Sequence, residues 1–333
     1  MRKILVTGTA GFIGFHLTRL LLDEGFRVQG YDGMSDYYDI SLKQRRHQIL
    51  LQHPNFSTVE ARLEDRDALD RIADAFQPEV IVHLAAQAGV RYSLDAPRDY
   101  IDSNVIGTFN VMGVARRHKV QHLLMASTSS VYGANEAMPF GENDKADHQL
   151  TIYAATKKAT ESMGHAYAHL WNIPTTMFRF FTVYGPWGRP DMALYKFVEA
   201  ILQDRPIDIY NHGEMFRDFT YVGDLVRGIR LLIDAVPVQG QPVQGDSLSP
   251  VAPWRVVNIG NSDKVNLLDF VAAIEAALGR RAKRNYMDMQ MGDVPATWAN
   301  ADLLRHLTGY APQTAVKDGI AGFVSWYREY YGV

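Results

Sequence analysis

The amino-acid sequence predicts an α/β protein built on a Rossmann-type, doubly wound parallel sheet with a smaller C-terminal lobe. Two observations lead to this prediction: short apolar runs alternate with helical patterns in the first half, and this rhythm is lost after Gly185. Apolar residues fill both faces of each run, as suits buried parallel strands, and the alternation is typical of a doubly wound sheet. The predicted strands are residues 4–6, 27–31, 56–60, 80–84, 122–126 and 175–181.

Helical periodicity accounts for the segments between these strands. Apolar residues from Ile13 to Leu21 recur on one face of the first such segment. A long helix is predicted over residues 97–118, because a proline stands at its first turn. Residues 236–253 are rich in Pro, Gly, Gln and Ser, which predicts a loop. The other predicted helices are residues 153–171, 267–278 and 315–331.

The composition narrows the class of protein. The 333 residues carry a net charge of −3 without a basic stripe, so nucleic acid is not an expected partner. The lack of cysteine excludes disulfides, thiolate metal sites and cysteine nucleophiles, and it is compatible with the cytoplasm. We find no leader peptide and no apolar run of the about 18 residues that cross a bilayer, so no membrane association is expected. No metal site is predicted.

A glycine-rich loop joins the first predicted strand to the first helix. Gly8 permits a tight turn, Gly11 lets the backbone approach a pyrophosphate, and Gly14 lets the helix pack close to the strand. The N–H groups at the helix N-terminus then face the phosphates. The spacing is G-x-x-G-x-x-G rather than the commoner G-x-G-x-x-G, and a purely structural turn is the alternative.

Asp32 ends the second predicted strand, 18 positions after Gly14. A carboxylate there can accept hydrogen bonds from the ribose hydroxyls of NAD and would repel a 2′-phosphate, so NAD is favoured over NADP. A solvated loop aspartate is the alternative. We therefore predict an NAD-binding Rossmann domain at residues 1–182, to which later segments return, and a mainly substrate-binding lobe at residues 183–333.

Tyr153 and Lys157 lie four residues apart at the start of a predicted helix, which places both side chains on one face. A free tyrosine, with a pKa of about 10, is a poor base at neutral pH. A neighbouring ammonium and a positive nicotinamide ring both favour the phenolate. Thr128 and Ser129 follow the fifth predicted strand, where a hydroxyl can share a proton with the tyrosine and a substrate alcohol. A helix-surface pair and a polar loop are the alternatives.

With these residues in place, the chain resembles the extended short-chain dehydrogenase/reductase superfamily over nearly its whole length. Within that superfamily it is similar to the UDP-glucuronate 4-epimerases. The stretches that carry this resemblance are residues 36–39 (DYYD), 83–91 (HLAAQAGVR), 179–193 (RFFTVYGPWGRPDMA), 215–221 (MFRDFTY) and 292–298 (GDVPATW).

The resemblance implies a role for each matching residue. Tyr153 would be the base, Lys157 its electrostatic partner and a ribose ligand, and Thr128 the hydroxyl that shares the proton. Residues implied to form the NAD site are Gly8, Gly11, Phe12, Ile13, Gly14, Asp32, Leu63, Leu84, Ala85, Ala86, Asn104 and Phe181. Residues implied to contact the UDP-sugar are Arg91, Ser129, Thr182, Arg189, Arg217 and Asp293. Relatives also imply a homodimer that pairs helices 97–118 and 153–171.

The chain differs from some members of the superfamily at Arg62, at Thr182 and at Ser129 and Ser130, and these differences indicate which reaction and substrate to expect. Arg62 stands where many relatives have an aspartate that meets adenine, so that contact would fall to the backbone around Leu63. Thr182 stands where UDP-galactose 4-epimerases have asparagine, which points to a uronic acid. Ser129 and Ser130 stand where sugar 4,6-dehydratases have Asp-Glu, and decarboxylases have glutamate at the second position. At these two positions the chain therefore has no carboxylic acid or carboxylate that could move a proton at a carbon other than C4, as elimination of water or decarboxylation would require.

The resemblance thus implies an NAD-dependent 4-epimerase acting on UDP-glucuronate. Tyr153 would take the C4 hydroxyl proton while hydride leaves C4, and the 4-keto sugar would turn about its diphosphate and take the hydride back on its other face. The alternatives are a 4-epimerase of a neutral UDP-hexose or UDP-N-acetylhexosamine, a UDP-glucuronate decarboxylase, and a non-catalytic NAD-binding protein.

Overall fold

The computed structural model describes residues 1–290 and 292–333. All six predicted strands are present, and their ends differ from the predicted ends by one or two residues at most. The strands are β1 (Lys3–Thr7), β2 (Arg27–Asp32), β3 (Phe56–Glu60), β4 (Val80–His83), β5 (His122–Thr128), β6 (Thr175–Phe180), β7 (Thr182–Tyr184), β8 (Pro206–Tyr210), β9 (Phe216–Arg217), β10 (Phe219–Tyr221), β11 (Trp254–Ile259), β12 (Val265–Asn266), β13 (Lys283–Met287) and β14 (Ala296–Thr297).

The central sheet has seven parallel strands in the order β11-β6-β5-β4-β1-β2-β3. The chain builds outward from β1 to β3, then crosses back to β4 and continues in the other direction. This reversal places a topological switch point between β1 and β4, and ligands of such sheets bind outside the carboxyl ends of the strands there. The predicted Rossmann-type α/β fold is confirmed.

Helices cover both faces of this sheet. Apolar side chains of α1, α9 and α11 form the core on one face, and those of α3, α6 and α7 form it on the other. No helix in the described ranges combines the length and the apolar character needed to cross a bilayer. The helices are α1 (Phe12–Asp23), α2 (Ile40–Leu50), α3 (Arg66–Phe76), α4 (Tyr92–Asp95), α5 (Pro97–Tyr100), α6 (Thr108–His118), α7 (Ile152–Trp171), α8 (Ala193–Leu202), α9 (Val222–Leu232), α10 (Leu267–Leu278), α11 (Asp302–Thr308) and α12 (Val316–Tyr331).

The edge strand β11, which pairs with β6 from Trp254 to Ile259, was not predicted from the sequence. Arg255 and Asn258 interrupt its apolar run, yet both are buried. Arg255 forms an ion pair with Asp246 at 3.1 Å, and the Asn258 side chain is hydrogen-bonded on both its oxygen and its nitrogen. Partners outside the strand thus make polar residues compatible with a buried strand.

The predicted helix 97–118 is helical throughout but is not one α-helix. A π-helix spans Ile101–Gly107 between α5 and α6. Such wider turns insert an extra residue into an α-helix and are frequent at functional sites. The inserted turn carries Asn104, whose side chain is fully buried against the sheet domain.

The C-terminal lobe has its own core. It is formed by α8, α10 and α12, and the rings of Phe219 and Phe270 stack in it with centroids 3.9 Å apart. Three small sheets belong to this part of the chain: β10-β7, β12-β9-β14 and β13-β8. Residues of β9, β10 and β14 line the same cavity as Gly8 and Leu84, which follow β1 and β4, so this lobe lies over the switch point.

Residues 236–253, all of which the structure describes, form neither helix nor strand, as predicted. The second half of this loop is nevertheless tied to the body of the protein. The Asp246 carboxylate is fully buried in its ion pair with Arg255, and Ser249 is hydrogen-bonded to His165 at 2.8 Å. The loop is therefore anchored at its C-terminal half and exposed between residues 238 and 245.

Candidate active site

A cavity of about 690 Å³ opens at the carboxyl ends of the central strands and extends beneath the C-terminal lobe. It brings together residues from both ends of the chain. The predicted site residues that line it are Gly8, Gly11, Phe12, Ile13, Gly14, Asp32, Leu63, Leu84, Ala85, Ala86, Arg91, Thr128, Ser129, Tyr153, Lys157, Phe181, Thr182, Arg189, Arg217 and Asp293.

Asn104 is the predicted site residue that the structure places behind the wall of this cavity rather than on its surface. Its side chain accepts a hydrogen bond from the Gln87 N–H at 2.8 Å and donates to the Gln87 carbonyl at 3.0 Å. It also donates to Thr156 at 3.2 Å. The Asn104 side chain thus holds the backbone at Gln87, which lines the cavity, and its contact with NAD stays a prediction.

The glycine-rich loop has the geometry of a phosphate cradle. Gly8 adopts a φ of +82°, and a Cβ there would lie 2.8 Å from the Ala85 nitrogen. Gly11 precedes α1 without a side-chain cap, so N–H groups of the first turn face the cavity free of a capping side chain. A negatively charged group fits there because the helix dipole and these donors both favour it.

Gly14 is the tightest point of the loop, since a Cβ there would lie 1.9 Å from the Gly8 carbonyl oxygen. We expect Gly14→Ala to displace the loop, to lower the free energy of unfolding by about 1–3 kcal/mol, and to abolish copurification of a dinucleotide. Chemical denaturation and absorbance of the released nucleotide measure the two effects.

Gly322→Ala is the matched control, because Gly322 lies within α12 and a Cβ there meets its nearest neighbour at an ordinary 3.8 Å. This change should raise the free energy of unfolding by about 0.5–1 kcal/mol. Equal stability and nucleotide content in the Gly14 and Gly322 variants would show that the loop tolerates a side chain, contrary to our expectation.

Asp32 and Lys43 face one end of the cavity. The Asp32 carboxylate accepts the Ala10 N–H at 2.8 Å and the Met34 N–H at 2.9 Å, which fixes both oxygens while leaving lone pairs for further hydroxyl donors. Lys43 was not singled out in the sequence. It donates to the Ser35 hydroxyl at 2.9 Å. Burial lowers its pKa to about 8, although Asp32 opposes the shift.

Tyr153 and Lys157 occupy the first turns of α7, which Thr151 caps by accepting the Ala154 N–H. Both side chains reach the cavity. The Tyr153 ring packs edge-on against Tyr100 at a centroid distance of 6.0 Å. The predicted placement of the phenol and the ammonium on one helix face is therefore observed.

The pKa shifts of Tyr153 and Lys157 differ from the expectation that a neighbouring ammonium favours the phenolate. Burial raises the pKa of Tyr153, while its hydrogen bond with Thr128 and the charge of Arg189 oppose that rise. Burial also lowers the pKa of Lys157 to about 8, against the effect of Glu161. Desolvation disfavours both charged forms, so the helical spacing of Tyr153 and Lys157 does not by itself produce a phenolate.

Thr128, Ser129 and Ser130 form a turn at the end of β5. The Thr128 hydroxyl accepts the Ser130 N–H at 3.2 Å and lies 3.3 Å from the Ser130 hydroxyl. These hydroxyls line the cavity beside Tyr153. A proton on the phenol can thus be shared with neutral hydroxyls, and no carboxylate stands at either serine position.

A buried ion pair that the sequence did not reveal supports this site from behind. Arg179 donates to Glu161 from Nε at 2.9 Å and from Nη2 at 2.8 Å, and both side chains are almost fully buried. Glu161 also accepts the Ser127 hydroxyl at 2.6 Å. Since Glu161 lies one turn beyond Lys157 and Ser127 precedes Thr128, the pair connects α7 to the ends of β5 and β6.

Arg189 lines the cavity and is held by Asp191. Its Nε donates to Oδ1 at 2.9 Å and its Nη2 donates to Oδ2 at 2.5 Å. Tyr37 donates to the same Oδ2 at 3.1 Å. Although burial alone would raise the pKa of Asp191, Arg189 holds it below its usual range.

Arg91, Asp293 and Arg217 gather at another part of the wall. Arg91 forms an ion pair with Asp293 at 3.0 Å. Arg217 donates to the backbone carbonyls of Val294 and Phe216 at 2.8 and 2.9 Å rather than to a carboxylate, and burial lowers its pKa. Asp293 is thus already paired, whereas Arg217 presents a cation with neutral partners to the cavity.

Comparison with protein families gives the class of protein that this fold and cavity define. Residues 4–244 match the NAD dependent epimerase/dehydratase family. The match covers most of the chain, including the glycine-rich loop, Tyr153 and Lys157. The chain belongs to this family.

Individual relatives cover nearly the whole chain. A probable UDP-glucuronate 4-epimerase of Rhizobium meliloti (strain 1021) is 56% identical over 99% of this chain and 98% of its own length. UDP-glucuronate 4-epimerase 1 of Arabidopsis thaliana is 42% identical over 99% of this chain and 77% of its own length. The crystal structure of UDP-glucuronic acid 4-epimerase from Bacillus cereus, in complex with UDP-glucuronic acid and NAD, has a TM-score of 0.89 at 30% identity. It covers 99% of this chain and all of that one.

Proposed function

We propose that the protein is a UDP-glucuronate 4-epimerase, which interconverts UDP-glucuronate and UDP-galacturonate using bound NAD. The observation that carries this proposal is one cavity that joins the phosphate loop to Tyr153 and Thr128, with hydroxyls at positions 129 and 130. Relatives and solved structures of that name, similar over the full chain, support the same reading.

The described residues fit NAD. The cradle at Gly8, Gly11 and Gly14 excludes side chains where a pyrophosphate would approach, and the fixed Asp32 carboxylate suits two ribose hydroxyls. Leu63, Leu84, Ala85, Ala86 and Phe181 supply the remaining walls. When bound, NAD would supply the hydride acceptor and donor that oxidation and reduction at C4 of the sugar require.

Tyr153 and Thr128 handle the proton of the C4 hydroxyl. Tyr153 takes that proton as the carbonyl forms and gives it back when the hydroxyl is restored, and Thr128 holds the phenol by a hydrogen bond. Lys157, whose pKa burial lowers to about 8, stabilises the phenolate when it is charged. Ser129 and Ser130 bind hydroxyls of the sugar without offering an acid or base for elimination or decarboxylation.

Three cationic side chains suit the charged groups of this substrate. Among the residues that the structure describes, Arg217 donates hydrogen bonds to backbone carbonyls and not to a carboxylate, so a diphosphate would supply an anionic partner. Arg189 and Thr182 line the part of the cavity that the sugar would occupy and can orient its carboxylate. Arg91, held by Asp293, stands at the mouth. On this assignment residues 1–182 bind the cofactor, residues 183–333 mainly bind the UDP-sugar, and β11 completes the sheet.

The test is an NMR time course of the purified protein with UDP-glucuronate and no added cofactor. We expect UDP-galacturonate as the sole product, because NAD is regenerated in each cycle. A UDP-pentose with release of CO₂ would identify a decarboxylase and refute the argument from Ser129 and Ser130. Conversion of UDP-glucose or UDP-N-acetylglucosamine, but not UDP-glucuronate, would identify an epimerase of neutral sugars.

We also propose that the protein is a homodimer that acts in the cytoplasm. The π-helix, α6 and the end of α7 expose Ile106, Phe109 and Leu170, which are 40%, 50% and 64% accessible. Adjoining apolar groups of this kind are typical of a protein interface. The lack of cysteine is compatible with a reducing compartment.

Phe109→Glu should therefore weaken the dimer, since removing a central aromatic residue and burying a charge commonly costs about 2 kcal/mol or more, or at least thirtyfold in the dissociation constant. Light scattering over a dilution series measures this constant. Leu51→Glu is the control, because Leu51 lies at the end of α2 and is about as exposed as Phe109, at 55%. This change should leave the dissociation constant of the dimer unchanged. A wild-type protein that is monomeric at micromolar concentration would contradict the proposal.

A further inference from the structure

Arg189 does not present a free charge to the cavity. Asp191 engages its Nε and Nη2 edge with two short hydrogen bonds, the planar fork that guanidinium offers a carboxylate. Both side chains remain about one-fifth exposed, at 20% and 23%, on the cavity side. The pair is therefore an open arrangement in which a second carboxylate can reach Arg189.

Tyr37 fixes the position of Asp191. Its hydroxyl donates to Oδ2, and its ring lies 5.8 Å from the Arg189 guanidinium carbon. Tyr37 belongs to the segment after β2, whereas Arg189 and Asp191 follow β7. The carboxylate is thus held from two separate elements, and it cannot swing away from Arg189 without losing the hydrogen bond to Tyr37.

We propose that Asp191 is a positioning residue that shares Arg189 with the uronate of the substrate and thereby keeps the sugar from being held too tightly to turn over. This inference rests on the proposed function. Among residues 1–290 and 292–333, Arg189 Nη1 has no hydrogen-bond partner and can meet the substrate carboxylate, whereas the bidentate edge formed by Nε and Nη2 is already occupied by Asp191. The substrate consequently receives a weaker contact than an unpaired arginine would give it.

Sharing Arg189 between Asp191 and the substrate would help the epimerisation reaction. The 4-keto sugar has to rotate so that its other face meets the hydride, and its carboxylate must leave its first position during that rotation. A bidentate arginine contact made only in the starting pose would stabilise the ground state and slow the rotation. Asp191 stays on the Nε and Nη2 edge of Arg189 when the uronate departs, so the guanidinium keeps a carboxylate partner throughout and its charge is never left unpaired.

Asp191→Asn tests the inference because it removes the charge and keeps the shape. We expect the variant to bind UDP-glucuronate roughly tenfold more tightly and to lose about tenfold in kcat, with a larger steady-state fraction of reduced nicotinamide seen by near-ultraviolet absorbance. Binding of UDP-glucose, which has no carboxylate, should change by less than about twofold. Calorimetry on both nucleotide sugars and steady-state kinetics measure these quantities.

Two further variants complete the design. Asp191→Glu retains the carboxylate and should restore most of the wild-type KM and kcat. Asp302→Asn removes a surface carboxylate paired with Arg305, both about 60% exposed, and should change neither constant. If Asp191→Asn does not fold, Asp191→Ser provides a second chain without the carboxylate, to be measured in the same way.

The outcomes separate the inference from the proposed function. Weaker or unchanged binding of UDP-glucuronate by the carboxylate-free variants, or an equal change for UDP-glucose, overturns the role of Asp191. A wild-type protein that does not epimerise UDP-glucuronate overturns the proposed function. The calorimetric comparison of the two nucleotide sugars then still decides whether Asp191 shields Arg189.

Discussion

Replacing Tyr153 with phenylalanine should lower kcat by about 10²–10⁴-fold, the usual contribution of a positioned acid–base group. Only the hydroxyl is removed, so the ring still packs edge-on against Tyr100. The hydroxyls that remain beside this position, on Thr128, Ser129 and Ser130, are neutral alcohols and do not replace the phenol as a base. The effect should fall on kcat more than on KM, because the phenol acts as the proton moves rather than in holding the diphosphate. Initial rates of UDP-galacturonate formation measure it.

Tyr286→Phe is the control for this change, since Tyr286 lies on β13 and is 48% exposed. It should retain wild-type kcat and melting temperature. If the Tyr153 variant kept more than about one-tenth of the wild-type kcat, another group would have to be the base, and the assignment of the cavity chemistry would be wrong.

Glu161→Gln should lower the free energy of unfolding by about 3–5 kcal/mol, the cost of removing one partner from a buried ion pair. The change leaves the Arg179 guanidinium, only 3% exposed, without a carboxylate. Ser127 also loses a charged acceptor. Denaturant unfolding measures the loss. Because Glu161 adjoins the turn below Lys157, we expect kcat to fall as well in the folded fraction.

The pH dependence of stability gives an independent readout. Burial would raise the pKa of Glu161, but Arg179 outweighs it and holds that pKa below the ordinary value, about 4.3 in unfolded chains. A lowered carboxylate pKa stabilises the fold above the unfolded value, and this contribution is lost as the pH falls through the folded value. The difference in stability between wild type and Glu161→Gln should therefore shrink below about pH 4.

Glu199→Gln is a matched control, because the Glu199–Arg205 pair lies on the surface with both side chains at least 40% exposed. Such pairs contribute about 0–1 kcal/mol. An equally small loss for Glu161→Gln, or a loss that does not diminish in acid, would show that the buried pair does not stabilise the fold as argued.

The elements that the sequence predicted well are those with a local signal. The glycine loop, the strand before it and the helix after it are contiguous, so spacing alone placed Gly8, Gly11 and Gly14 in one turn. Tyr153 and Lys157 depend on a single helical repeat. β11 was missed because Arg255 and Asn258 become compatible with burial only through partners elsewhere in the chain.

The sequence pattern did not predict the charged groups that hold the site residues in position. Glu161 and Arg179 look like solvated helix and strand residues until α7 packs beside β6. Asp191 reads as part of a loop motif, and only the folded chain shows that its carboxylate occupies Arg189. The π-helix has no recognisable signature in residues 97–118, although it carries Asn104, whose side chain is hydrogen-bonded to the backbone of Gln87.

The anchored loop at residues 236–253 has a consequence for the connectivity of the chain. The exposed residues 238–245 lie in the connection from α9 to the edge strand β11, yet this strand is held by its own ladder to β6 and by the buried Asp246–Arg255 pair. Covalent continuity through this stretch therefore adds little to the assembled fold. We therefore expect residues 238–245 to tolerate proteolytic cleavage, new termini from circular permutation or the insertion of a peptide tag without disruption of the catalytic cavity.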